Sequence, residues 1–234
     1  MDLKELESGV DPSTHWYYQS KKIPLIRFVK KIAAQLGKKI TLVDVGSGSG
    51  FFMYALDKHC PQLIEKIWLV DIGYSENEMA ETRNQKIEKR LDIPPAMQNC
   101  IVVMMDVLEH LPDDVDMLKN IKANCSGENY FFITVPAFML LWSGHDVYLK
   151  HYRRYTIKTL KQSLASANWI SASRKFFYLY GCIFPMVWLV RKLKKSDEVK
   201  SNMAPSGKMV NAVLKSICSS EMNLRYLNTV AGVT

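Results

Sequence analysis

The stretch Asp44-Val-Gly46-Ser-Gly48-Ser-Gly50 sets three glycines at alternate positions behind an acidic residue, with only serines between them. Glycine tolerates positive φ and carries no Cβ, so such a turn lets the backbone approach a nucleotide-like ligand closely. Asp71 follows about twenty residues later, where a carboxylate can accept hydrogen bonds from both hydroxyls of a ribose. The dinucleotide fingerprint reads G-x-G-x-x-G. Gly46 and Gly48 fit it, but Phe51 stands where its third glycine belongs and Gly50 comes one residue early.

A second concentration of reactive side chains lies between Ala137 and Tyr155: Trp142, His145, Asp146, His151, Arg153, Arg154 and Tyr155. Three chemistries compete for it. His145 or His151 can act as a general base toward an acceptor hydroxyl or amine, with the arginines anchoring an anionic group through their planar fork. Alternatively, His145, Asp146 and His151 can help bind a divalent metal that orients a diol. In the third reading the loop is structural, Asp146 pairing with Arg153 or Arg154. The first carries the site assignment: His145 and His151 as catalytic groups, Trp142, Arg153 and Tyr155 at the substrate, and no residue assigned as a metal ligand.

These groups need elements to hold them. Ile40–Asp44 reads as a short buried strand and Phe51–Leu56 opens a helix, so the glycines form a strand–turn–helix junction. Lys66–Asp71 is a second strand, Lys86–Arg90 a weak third, Cys100–Asp106 a fourth that is apolar throughout, and Tyr130–Val135 a fifth. A helix is expected from about Ser20 to Leu36, with Pro24 in its first turn. Another starts at Pro112-Asp113-Asp114, and a third is capped by Thr156. The aromatics His15-Trp-Tyr-Tyr18 suit a lid or a staple on the core. Trp169–Arg174 reads as an outer strand, Met209–Cys218 as a short helix, and Leu227–Thr234 as the start of a final strand.

Taken together, Val-Asp-Val-Gly-Ser-Gly-Ser-Gly50, the acid at Asp71, Met-Asp-Val-Leu-Glu-His110 and Ile-Thr-Val-Pro136 resemble the successive ligand strands of class I S-adenosylmethionine-dependent methyltransferases. Asp-Val-Leu-Glu-His-Leu111 is similar to the signature after strand 4 in small-molecule members, the group of the ubiquinone-biosynthesis O-methyltransferases. The resemblance covers about residues 15–170. It implies a Rossmann-like three-layer α/β/α sandwich with a mostly parallel seven-stranded sheet, the last strand short. It implies S-adenosylmethionine as cofactor, contacted by Asp44, Gly46, Gly48, Gly50, Asp71 and Asp106, and methyl transfer to an oxygen or nitrogen of a small or lipid-like acceptor by in-line displacement. The acid that meets the adenine amine has no clear match, Asp92 being the nearest candidate. His-x-Arg-Arg-Tyr-Thr156 also resembles relatives that act on small or lipid-linked acceptors.

The chain has 234 residues, 48% hydrophobic and with a formal charge of +8. That suits one sizeable α/β domain. The division expected is 1–38 as a helical cap, 39–175 as the cofactor-binding core, and 176–234 as an apolar, basic segment that completes the domain and serves as a lid or membrane-surface contact. Phe176–Val190 is too short to span a bilayer, and Pro185 would kink a helix there. With flanking cations, 176–195 suits peripheral membrane contact. Five scattered cysteines without C-x-x-C fit a reducing cytoplasm, and Met-Asp-Leu-Lys-Glu-Leu-Glu does not read as a signal peptide. Nucleic acid is not the expected substrate, because no Asn-Pro-Pro-aromatic motif follows strand 4. Two alternatives stand beside methyl transfer: a non-catalytic module docking on a membrane or partner, and a nicotinamide-dependent oxidoreductase, against which Phe51 argues.

Overall fold

The computed structural model describes residues 9–80, 86–169, 174–193, 199–201 and 205–234. The elements run α1 (Trp16–Leu36), β1 (Ile40–Val45), α2 (Phe51–His59), β2 (Ile64–Val70), α3 (Glu76–Ala80), β3 (Ile87–Arg90), β4 (Cys100–Met105), α4 (Asp114–Ala123), β5 (Tyr130–Thr134), α5 (Gly144–Tyr148), α6 (Ile157–Ser166), α7 (Phe184–Leu193) and α8 (Lys208–Leu224). It is a parallel-sheet α/β fold.

The sheet order is β3-β2-β1-β4-β5, and every pair is parallel. Reversal of strand order between β1 and β4 makes the switch point at which the carboxyl ends diverge and ligands bind in open α/β sheets. Every residue of β4 is buried, which explains its unbroken apolar run. The expected seven strands are corrected to five among the described residues. Leu179 does exchange backbone hydrogen bonds with 233–234, Leu179 N–H to Thr234 O (2.7 Å) and Val233 N–H to Leu179 O (2.9 Å), but these form no ladder. The outer strand expected at 169–174 lies largely outside the described residues.

The contacts divide the chain into two units. One gathers Pro24–Val107 with Asn120–Thr134 and contains the whole sheet. The other gathers the residues up to Ile23, Leu108–Lys119 and the chain from Val135 onward. In the second unit Tyr180, fully buried, stacks on Tyr17 with ring centroids 5.4 Å apart. Tyr180 also meets Trp16 edge-on. The N-terminal aromatics are thus a staple on this unit's core, with Leu179, Ile183, Cys218 and Met222.

Three helix boundaries differ from expectation. Helix α1 begins four residues early, at Trp16, so Pro24 lies inside it rather than in its first turn. Ser20 Oγ bonds back to the carbonyl of Trp16 (2.8 Å) just before that proline. Helix α7 begins only at Phe184, so Pro185 sits in the first turn, where a missing N–H costs nothing, and produces no kink. Helix α8 runs six residues past the expected end.

Candidate functional site

Strand β1 delivers Asp44 and the glycine turn together. Gly46, Gly48 and Gly50 have φ of 71°, 51° and 70°, left-handed conformations that favour glycine. A Cβ on Gly46 would lie 2.7 Å from Cγ2 of Val107. The turn is tied to the next strand: Gly46 and Ser47 donate their N–H groups to Val70 O at 2.8 and 3.1 Å.

Asp71, just past β2, reaches back to this turn. Its Oδ2 accepts the Gly48 N–H at 2.8 Å and its Oδ1 accepts the Gly73 N–H at 2.9 Å. Each carboxylate oxygen has a second lone pair, so the group retains acceptor capacity for ligand hydroxyls. The buried Tyr74 hydroxyl donates to Gly48 O (2.8 Å) and lies 2.7 Å from Ser47 Oγ. Asp44 is buried below the turn, and burial, reinforced by the neighbouring Asp71 charge, pushes its carboxyl up to about 7. Asp106 ends β4 with a φ of 57°, its N–H donating to Thr134 O (3.0 Å) and its Oδ1 accepting from Thr134 Oγ1 (3.1 Å). All six residues expected to contact the cofactor therefore lie in the unit that holds the sheet, at the carboxyl ends of β1, β2 and β4. Asp92, beyond β3, is exposed.

The second concentration belongs to the other unit. Asp146 is fully buried and is its hub. It caps α5 by accepting the Ser143 N–H (2.9 Å), and its other oxygen accepts from Arg154 Nε (2.7 Å) and His151 Nδ1 (3.0 Å). Burial alone would raise this carboxyl. The His151 hydrogen bond and the Arg154 guanidinium outweigh burial and hold it well below the usual carboxylate range. Arg191, from α7, adds a cation 3.8 Å away. Asp146 thus pairs with Arg154, as the structural reading of the loop anticipated.

His145 is buried, and burial pushes its imidazole down to about 4, with the Arg191, His151 and Arg154 charges acting in the same direction against Asp146. It is neutral at physiological pH. Trp142 is half-buried at the end of a short 3-10 turn, Met139–Leu141.

Arg153 and Tyr155 share one protein partner. Asp114, at the start of α4, accepts Arg153 Nη1 on Oδ1 (2.9 Å) and the Tyr155 hydroxyl on Oδ2 (2.9 Å), with Ser163 Oγ on Oδ2 as well (2.7 Å). Arg153 Nη2 donates to the carbonyls of Leu111 (3.1 Å) and Pro112 (2.5 Å). Burial and the Asp114 hydrogen bond raise the Tyr155 hydroxyl far above its ordinary value. Both side chains fasten their segment to the start of α4.

Glu109 and His110 carry more than the motif suggested. They close a one-turn 3-10 helix, Leu108–His110, and the Glu109 side chain is fully buried. The Tyr152 N–H donates to Glu109 O at 2.7 Å, which holds His151 next to this turn. The rings of His110 and His151 meet edge-on, centroids 4.6 Å apart and planes at 85°. Among the described residues, no helix is long and apolar enough to cross a membrane.

The family model described as a methyltransferase domain matches residues 16–170. Ubiquinone biosynthesis O-methyltransferases of several Coxiella burnetii strains are 26% identical over 147 residues, 58% of this chain. The match spans 63% of the length of those relatives. Among solved structures, a SAM-dependent methyltransferase from Aquifex aeolicus aligns with a TM-score of 0.45 at 17% identity, covering 66% of this chain and 84% of that one. LepI in complex with SAM aligns with a TM-score of 0.48 at 18% identity, covering 61% and 40%.

Proposed function

The chain belongs to the methyltransferase domain family, and from that premise we propose that it moves the methyl group of S-adenosylmethionine to an oxygen or nitrogen of a small or lipid-like acceptor. The observation that carries the reading is Asp71, anchored to the Gly48 N–H at 2.8 Å. It puts an acid beside a turn with three left-handed glycines, as a nucleoside ribose and its backbone-hugging tail require. Gly46, Gly48 and Gly50 hold the amino-acid end, Asp71 the ribose, and Asp106 the region of the base and sulfur. When bound, S-adenosylmethionine would supply a methyl carbon already activated by its sulfonium.

The residues therefore need only align, exclude water and remove a proton from a protonated acceptor. We assign proton removal to His151. Its Nδ1 is engaged by Asp146, which fixes the ring and leaves Nε2 as the free lone pair. His145, pushed down to about 4, is a weak base and serves better as a neutral wall beside Trp142.

Peripheral membrane contact is the second part of the proposal. Met186, Leu189, Val190 and Leu193 stand at i, i+3, i+4 and i+7 of α7, between 48% and 74% exposed. An apolar stripe with Lys192 beside it suits the headgroup boundary and an acceptor carried there.

Calorimetric titration with S-adenosylmethionine, S-adenosylhomocysteine and NAD tests the cofactor. Micromolar binding of the two sulfur nucleotides alone, lost in Asp71→Ala, is expected. Binding of NAD instead, or of none of the three, refutes the reading.

A further inference from the structure

Glu109, His110 and His151 offer one carboxylate oxygen and two imidazole nitrogens, all within 4.8 Å of one another. Ligand atoms that share a divalent ion at 2.0–2.2 Å lie roughly 3–4 Å apart, so small side-chain rotations would close the three around one ion. The backbone already holds two segments together here, through the Tyr152 N–H on Glu109 O (2.7 Å). His151 is oriented as metal-bound histidines are. Its Nδ1 lies 3.0 Å from Oδ1 of Asp146, a carboxylate that Arg154 and Ser143 hold in place. A carboxylate behind one ring nitrogen fixes the tautomer and directs the other toward a metal. Glu109 is fully buried, while His110 is half-exposed and leaves a way in.

We propose that Glu109, His110 and His151 bind a divalent first-row transition-metal ion. Two imidazoles and one carboxylate suit Zn²⁺, Mn²⁺, Fe²⁺ or Co²⁺, whereas Mg²⁺ and Ca²⁺ prefer all-oxygen shells. Three protein ligands leave coordination positions open, as in catalytic rather than structural sites. The set expected for a metal from sequence, His145, Asp146 and His151, differs because Asp146 stands behind His151 instead of beside it. An acceptor hydroxyl on the open positions would be held by its oxygen and made more acidic; with the ion in place His151 Nε2 is a ligand, so proton removal by His151 applies to the ion-free protein alone. That last step rests on the methyl-transfer reading; the binding of the ion does not.

The test is titration of the chelator-stripped full chain with Zn²⁺ by calorimetry and with Co²⁺ by visible absorption, both without S-adenosylmethionine. One equivalent is expected to bind. His110→Ala, His151→Ala and Glu109→Gln are each expected to weaken it at least tenfold, and Asp146→Asn by about 10- to 100-fold. His59→Ala, on the exposed end of α2, should leave it unchanged. X-ray absorption on the Zn²⁺-loaded wild type needs no variant to fold, and should show two imidazoles and no sulfur. No stoichiometric binding, a shell containing cysteine sulfur, or affinity that survives all three substitutions would overturn the site. A failure to bind S-adenosylmethionine, with Zn²⁺ binding intact, would count against the methyl-transfer reading alone.

Discussion

Val107 occupies the space that a side chain on Gly46 would need, its Cγ2 only 2.7 Å from an ideal Cβ there. Two costs meet at this glycine, the φ of 71° and the branched neighbour, which cannot swing away as a long side chain could. Gly46→Ala should lower stability by about 1–3 kcal/mol and weaken S-adenosylmethionine binding. Adding Val107→Ala relieves the contact but not the backbone strain. The double variant should therefore recover part of the loss in denaturant unfolding, and full recovery would show that strain at Gly46 is negligible.

Asp44 predicts a pH dependence of the ligand-free protein. Its carboxyl is raised to about 7, against about 4 in an unfolded chain. Between those values the folded state holds a proton that the unfolded state has released, so stability falls as pH rises. The contribution is complete below about pH 4, lost by about pH 7, and on the order of 4 kcal/mol for the full span. Asp44→Asn should flatten this part of the profile. A wild-type unfolding series at pH 5, 6, 7 and 8 that shows no such decline would refute the assignment.

Asp114 holds Arg153, Tyr155 and Ser163 at 2.9, 2.9 and 2.7 Å. Asp114→Ala leaves the buried hydroxyl of Tyr155 and Nη1 of Arg153 without their acceptor, while Arg153 Nη2 keeps the Leu111 and Pro112 carbonyls, and should cost about 1–3 kcal/mol. Arg153→Ala should act in the same direction, more weakly, because its side chain is a third exposed. If Arg153 anchored an acceptor anion instead, its loss would raise KM with stability unchanged. Melting curves beside steady-state kinetics separate the two.

For α7, co-sedimentation with vesicles is the measurement. Binding to vesicles rich in phosphatidylglycerol, weaker on phosphatidylcholine, should fall severalfold in Leu189→Asp, since a charge replaces a residue 49% exposed on the apolar stripe. Equal binding by wild type and variant would remove the membrane part of the proposal.

The sheet and the glycine turn were legible because their signals are local. An apolar run, alternating glycines and an acid at a strand end each report their own position. β3 runs over Ile87–Arg90, one residue shorter than the weak strand expected at Lys86–Arg90. The partners of Arg153 and Tyr155 were not legible. Asp114 lies some forty residues earlier, and an arginine beside aromatics looks the same from sequence whether it holds a ligand or a helix terminus. Asp146 with Arg154 was legible as one of three options, being a contact within one loop. Glu109 passed as part of a motif, since nothing local distinguishes a buried glutamate from an exposed one. Of the additional strands expected, the final one is replaced among the described residues by the backbone bonds of Leu179 with Val233 and Thr234.

The Asp71 carboxylate, clasped by the Gly48 and Gly73 N–H groups, bears on how fast and at what entropic cost a ligand is taken up. A loop already fastened in its receiving shape has little freedom left to lose, so association should follow simple one-step kinetics without a slow ordering phase. Amide exchange at Gly48 should already be slow in the empty protein and change little when the nucleotide arrives.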